Sequence, residues 1–232
     1  MSKVVRVRSI QVLCGGASIR MFSVWLVLLS FKLVQASPGS LINEVSHRYT
    51  KAPMVTSRIT KTVKQIVLEK EKIQKGDFFF RRGQLKLDFH SPERAEVYVD
   101  GKHVWMLAYP PKGFIDAPAQ VTKIGVKKDR GSAALLNLLS LSSTEREFKI
   151  SLLPERENIK VFDLDASQHE VLGLKRAQVF IHPEAKTIGK LVYWDDLENE
   201  TVYEFSEINL KAKVKSEIFK IQIPKGAQVT EL

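Results

Sequence analysis

At 232 residues, with 44% hydrophobic and 27% charged residues, the chain is long enough for one substantial domain and too apolar for a disordered one. Its formal net charge of +10 invites an acidic partner, but residues 1–36 hold Lys3, Arg6, Arg8, Arg20 and Lys32 and no acid; the remainder carries 31 basic against 26 acidic residues, a surplus that argues against a nucleic-acid binder. The single cysteine, Cys14, lies in the same stretch, so residues 37–232 hold no thiol for a disulfide, a thiolate metal site or a cysteine nucleophile.

In chain order, residues 1–20 are basic and unpatterned: either an extended leader, or sequence upstream of a start at Met21. Met21–Ala36 has a short apolar core with Val34 and Ala36 at minus three and minus one before Ser37. That layout predicts a cleavable signal peptide, too short for a membrane span. Lys32 interrupts the run and weighs against the alternative, an uncleaved anchor helix. Residues 1–36 are therefore expected to be leader and possible N-terminal extension, and 37–232 one exported domain. Cys14 does not follow an apolar core ending in a small residue, so a lipid-modified N-terminus is not expected.

Leu41, Ile42, Val45 and Tyr49 recur at helical spacing and predict an amphipathic helix that stops near Pro53. Val55–Glu69, rich in Val, Ile and Thr, reads as one long half-exposed strand, and Lys70–Lys75 as the turn that sends it back. Strands follow near 78–82, 84–90, 95–99 and 103–109. Because strand side chains alternate, Phe78, Phe80 and Arg82 share one face, and after the Gly83 bend so do Leu85, Leu87 and Phe89. The Asp100-Gly101 hairpin signal puts Val97 and Val99 on one strand face and Trp105, Leu107 and Tyr109 on the other. Such a sheet needs an apolar cover. Phe114–Ile124 is a weaker strand pair, with Pro118 arguing for an edge. Asp129–Leu141 differs from its surroundings: it predicts a helix with Leu135, Leu138 and Leu139 in one stripe and Leu136 on another side. It is either simply a buried helix or a lid over the apolar face. Strands resume at about 147–153, 159–164, 171–182, 187–194, 201–209 and 217–223, with a hairpin turn at Asp195–Asn199. Ten or eleven strands with two or three short helices describe a mainly β (α+β) domain built on a single, strongly curved antiparallel sheet.

Residues with catalytic chemistry are sparse. His47, His90, His103, His169 and His182 show no metal-ligand spacing, and neither a nucleophile elbow nor a phosphate-cradling glycine loop occurs. Asp195-Asp196, the only adjacent carboxylate pair, falls in the Asp195–Asn199 turn and reads as solvated. No enzymatic activity, metal or cofactor is expected. Arg82 is the polar residue singled out by its place. If strand parity holds, its guanidinium enters the apolar side and must find acceptors; if Arg81 and Arg82 straddle the strand end, both reach water.

The ordered motifs carry a resemblance. Gly76-x-apolar-apolar-apolar-Arg, a bend, an alternating strand ending at Pro92, and Val97-x-Val99-Asp100-Gly101-Lys102-x-Val104-Trp105 resemble the LolA family of periplasmic lipoprotein carriers. Ile188, Leu191, Asp196, Thr201, Tyr203, Phe205, Ile208, Phe219, Ile223, Pro224, Gly226 and Val229 fall in the order of that family's closing strands. The similarity spans roughly residues 41–230, with Gly83 where the family usually has proline. It implies an unclosed half β-barrel covered by a helical lid. It also implies a soluble, monomeric carrier that takes acylated lipoproteins from an inner-membrane lipoprotein-releasing ABC transporter to an outer-membrane lipoprotein acceptor. Phe78, Phe80, Leu85, Leu87, Phe89, Val97, Val99, Trp105, Leu107 and Tyr109 are then expected to line the lipid cavity, Leu135, Leu138 and Leu139 the lid. In this family an arginine at the position of Arg82 latches the lid over the empty cavity. The alternative within the same resemblance is an RseB-like sensor or regulator that binds a lipid or a misassembled envelope protein.

Overall fold

The computed structural model describes residues 38–114, 117–126, 135, 139, 148–154, 157–165 and 174–232, all within the compact unit Ala36–Leu232. The expected signal peptide, Leu138 and most of the Asp129–Leu141 helix lie outside them. Helix α1 (Pro38–Lys51) starts on a proline, whose fixed φ suits a first turn. It ends where Ala52 N–H still bonds to the Arg48 carbonyl and Pro53 forbids continuation. Ile42, Val45 and Tyr49, at the predicted helical spacing, are buried.

Among the described residues twelve strands form one sheet: β1 (Val55–Gln65), β2 (Lys70–Arg81), β3 (Gln84–Ser91), β4 (Ala95–Val99), β5 (His103–Ala108), β6 (Gln120–Gly125), β7 (Lys149–Leu152), β8 (Lys160–Asp165), β9 (Leu174–His182), β10 (Thr187–Asp195), β11 (Glu200–Asn209) and β12 (Gln228–Glu231). The strand order is β12-β6-β5-β4-β3-β2-β1-β11-β10-β9-β8-β7. Two up-and-down meanders, β1 to β6 and β7 to β11, therefore lie side by side and are joined by the antiparallel β1–β11 pair. β12 and β7 are the two edges, so the sheet is unclosed. Twisted strands in such number curl, and the inner face so formed carries the main core, shared by α1, Leu135, Leu139 and residues from β1 to β11.

Several boundaries differ from the sequence reading. The turn between the first two strands is Ile66–Glu69, and Lys70–Lys75 is strand; Lys70, Lys72 and Lys75, read as a turn, are exposed positions on a long ribbon. Of the expected Phe114–Ile124 pair, only Gln120–Gly125 is strand among the described residues. Residues 217–223 are not a strand: a 3-10 turn at Ser216–Phe219 leads into an extended segment. The last strand, β12, runs parallel to β6 at the sheet edge and was not foreseen.

Candidate functional site

The inner face is assembled by cross-strand register. Phe80 lies opposite Leu85, Leu85 opposite Val99, and Val99 opposite Val104. A second row runs Phe78, Leu87, Val97, Met106 through the same three pairings. Phe78, Phe80, Leu85, Leu87 and Phe89 are each at most 1% exposed. Aromatic rings meet on this face: Phe78 stacks on Phe80 at 6.4 Å and meets Phe205 edge-on at 5.1 Å, and Tyr49 of α1 tilts over Phe80 at 6.4 Å. From the other meander Phe162, Leu164, Val179, Ile181, Ile188 and Leu191 complete the surface. The apolar rows expected on β2, β3 and β4 are thus brought together.

Three expected lining residues are not. Trp105 lies opposite Tyr98 and Leu107 opposite Glu96, which puts Trp105, Leu107 and Tyr109 on the outer face. There Tyr98, Leu107 and Val121 form a second cluster, against which Trp105, Tyr109, Ile221 and Ala227 pack. The reason is hairpin parity. Val99 pairs with Val104, so odd positions on β4 share a face with even positions on β5. Val104 and Met106 are the inner residues of β5, and carrying the alternation through the turn finds them.

Arg82 is not buried on the apolar side as strand parity would have it. β2 ends at Arg81, paired with Gln84, and Arg82-Gly83 form the two-residue turn, with Gly83 at φ 79°. A turn residue is lifted off the pleat, so the alternation that buries Phe78 and Phe80 stops before it. Arg82 is exposed, and no hydrogen bond or ion pair holds it among the described residues. The neighbouring guanidinium does pack: Arg81 donates to Gln84 Oε1 at 2.5 Å and lies 5.0 Å from the Phe219 ring centroid. It does so half-buried, at the last residue of the strand.

The cover of the inner face comes from outside the sheet. Leu135 and Leu139, both helical and four residues apart, are 0% and 1% exposed in the main core. Helix α1 is fastened at its C-terminal end to the β9–β10 turn. Tyr49 Oη accepts the Ile188 N–H at 3.1 Å, Arg48 donates to the Ala185 carbonyl at 2.6 Å, and Glu44 pairs with Lys186. Burial pushes the Tyr49 phenol up to about 12 against the weaker pull of the Ile188 hydrogen bond. Burial likewise raises Tyr193, which faces Tyr203 at 6.3 Å. A surface of this kind binds by removing apolar area from water, without directional demands.

The outer face holds what the sequence reading missed. Lys86, Asp88, Arg94, Glu96, Tyr98 and Tyr109 meet beside a cavity of about 590 Å³ that Glu217, Ile218, Lys220, Gln222, Ile223 and Pro224 border. Glu96 accepts from Tyr98 Oη at 2.6 Å, Arg94 at 3.0 Å and Tyr109 Oη at 3.3 Å, while Lys86 Nζ lies 3.2 Å from Asp88. Burial opposes the Glu96 charge, but Tyr98, Lys86 and Arg94 together hold its carboxyl below the usual range. The signal was present: Lys86 and Asp88 alternate with Leu85, Leu87 and Phe89, and Asp88 lies opposite Glu96. Among the described residues no group of three potential ligands is placed to hold a metal ion, and no helix is long and apolar enough to cross a membrane.

The family model described as outer membrane lipoprotein carrier protein LolA matches residues 56–222. The chain belongs to the LolA family. The matched span runs from β1 to the end of the extended segment after the 3-10 turn, so it takes in both meanders and leaves α1 and β12 outside. Among solved structures, an uncharacterized conserved protein from Thermus thermophilus is similar over 85% of this chain and 100% of its own, at 12% identity and a TM-score of 0.53. A LolA superfamily protein from Nitrosomonas europaea is similar over 79% of this chain and 97% of its own, at 8% identity and a TM-score of 0.43. The MucA/MucB complex of Pseudomonas aeruginosa contains a chain similar over 81% of this one and 62% of its own, at 12% identity and a TM-score of 0.44. No curated protein matches the sequence.

Proposed function

We propose that this LolA-family protein is a periplasmic carrier that holds the acyl chains of lipoproteins against the inner face of its sheet and moves them from the inner to the outer membrane. The observation that carries the reading is the pair of apolar rows across β2 to β5, covered by Leu135, Leu139 and α1 rather than by a second sheet. A cover made of separate elements can be exchanged for a ligand. Each methylene taken out of water is worth about 0.8 kcal/mol, and each buried leucine about 1.5–3 kcal/mol. An acyl chain of about ten methylenes therefore outweighs Leu135 and Leu139 together, and their return to the face favours release. Arg82, exposed in its turn, is given no latch role in this reading.

The leader-like layout of Met21–Ala36 supports export. The family description, an outer membrane lipoprotein carrier, supports a lipoprotein cargo; in this reading the donor is an inner-membrane lipoprotein-releasing ABC transporter and the receiver an outer-membrane lipoprotein acceptor. The test is titration of the purified protein with a triacylated lipopeptide and with the same peptide lacking its acyl chains. The acylated peptide is expected to form a complex that masks the chains from detergent, and the bare peptide none. Equal binding of both would contradict the reading. Mass spectrometry of molecules co-purifying from membranes should then show acylated protein; a single non-acylated envelope protein would favour the regulator.

A further inference from the structure

Where the apolar rows end, the inner face changes chemistry. On β1 the alternation that buries Val55 and Ile59 next brings Lys61 inward, opposite Gln74 of β2 on one side and Tyr203 of β11 on the other. Lys61 is half-buried, and its Nζ lies 5.7 Å from the centroid of the Tyr203 ring. Burial pushes the neighbouring Tyr193 phenol up, and the Lys61 charge pulls against that rise. Among the described residues Lys61 makes no ion pair. Cations on the outward side of the same strands do: Arg58 pairs with Asp77 and Glu207, Lys64 with Glu200, and Lys190 with Glu204. Two acids stand at this end of the inner face. Asp195, the last residue of β10, accepts the N–H groups of Leu197 and Asn199 within its own turn. Glu93 meets Lys72 at 4.0 Å with both side chains more than half exposed, a pair worth little. Lys72 is the diagonal neighbour of Lys61, since Gln74 stands opposite Lys61 and Lys72 opposite Val63. Diagonal positions lie about 7–8 Å apart, within reach of long side chains, so both ammonium groups can meet one anion.

We infer that the inner face also takes an anionic glycerophospholipid, with its acyl chains on the apolar rows and its phosphate between Lys61 and Lys72. The inference rests on the reading that the rows hold acyl chains, and adds a second class of cargo to it. A cation half-withdrawn from water beside apolar side chains is stabilised by an anion that arrives with the ligand. Distance favours a lipid phosphate over the carboxylates of an acidic peptide. Lys61 follows Ile59 by about 7 Å along the strand, and the glycerol backbone holds a phosphate a similarly short, fixed distance from its ester-linked chains. Carboxylates in the peptide beyond a lipidated terminus have no such fixed distance.

The test is isothermal titration of the purified protein with short-chain phosphatidylglycerol below its micelle concentration, with diacylglycerol of the same chains, with inorganic phosphate, and with a triacylated lipopeptide lacking acidic residues. Wild type is expected to bind phosphatidylglycerol at least about tenfold more tightly than diacylglycerol, with the gap narrowing as salt rises, and to bind inorganic phosphate far more weakly than either lipid. Lys61→Gln/Lys72→Gln should lose the preference while its melting temperature and lipopeptide affinity stay those of wild type, and Lys61→Arg/Lys72→Arg should keep it. Equal affinity for the two lipids, or a Lys61→Gln/Lys72→Gln protein that retains the preference, overturns the inference. Inorganic phosphate that binds as tightly as phosphatidylglycerol assigns the lysines to a free anion and overturns it too. Lipopeptide binding without phosphatidylglycerol binding overturns this inference alone, whereas binding of neither removes the carrier reading and this inference with it.

Discussion

Gly76 stands where β2 shifts register against β3, and a Cβ built on it would meet the Asp88 carbonyl oxygen at 2.0 Å and Phe89 Cα at 2.7 Å. Both are backbone atoms of the next strand and cannot step aside. Gly76→Ala is therefore expected to cost about 2 kcal/mol or more, read as a lower urea midpoint. Arg82→Leu should fall within about 0.5 kcal/mol of wild type, as an exposed change with no partner among the described residues does, and should leave lipopeptide release unaltered; trapped ligand in that variant would restore a latch. Tyr49 tests the seat of α1. Tyr49→Phe leaves the Ile188 N–H without its acceptor, at a cost of about 1–3 kcal/mol. The same phenol sets a pH dependence. Burial raises its folded pKa from the ordinary 10.0 to about 12, so above a pH of about 10 the unfolded chain gives up the proton first. The stability this group contributes is intact below that pH and is lost as pH climbs through the folded value. Denaturant midpoints measured from neutral to strongly alkaline pH should fall, and fall less in Tyr49→Phe.

At the scale of elements, the strands of the first meander were legible because their residues alternate cleanly. β4 matches its expected bounds, and β3 and β5 come within a residue of theirs. The face was harder to read than the strand. Trp105, Leu107 and Tyr109 are as apolar as Val104 and Met106, and only the Val99–Val104 pairing decides which set turns inward. Arg82 failed for a related reason: alternation predicts direction inside a strand and says nothing about the turn that ends it. β12 was illegible because Gln228–Glu231 is exposed along its length and is held by pairing with β6, a contact more than a hundred residues distant in sequence. The cover makes its own prediction. If Leu135 and Leu139 were ordinary core, replacing either with alanine would cost about 2–5 kcal/mol and leave lipid affinity no better. As a displaceable cover, Leu135→Ala/Leu139→Ala competes less with the ligand, so lipopeptide affinity should rise several-fold while the melting temperature falls. Isothermal titration and thermal melts on the same samples separate the two outcomes.

At the scale of the molecule, two meanders joined through β1 and β11 place the apolar side of nearly every strand on one inner surface, and the polar Lys86–Glu96 network on the other side of the same strands. The two faces of one sheet thus divide the work: the outer packs the C-terminal segment, while the inner is covered, among the described residues, by α1, Leu135 and Leu139. The carrier account claims that the acyl chains go to the inner surface. Val97 and Trp105 test this directly, because they belong to neighbouring strands yet point to opposite sides. A photo-crosslinking residue placed at Val97, and separately at Trp105, would be irradiated in the presence of a triacylated lipopeptide. The account predicts adducts on the acyl chains from position 97 and none from position 105. Adducts from 105 alone, or from neither position in a protein that binds the lipopeptide, would contradict it.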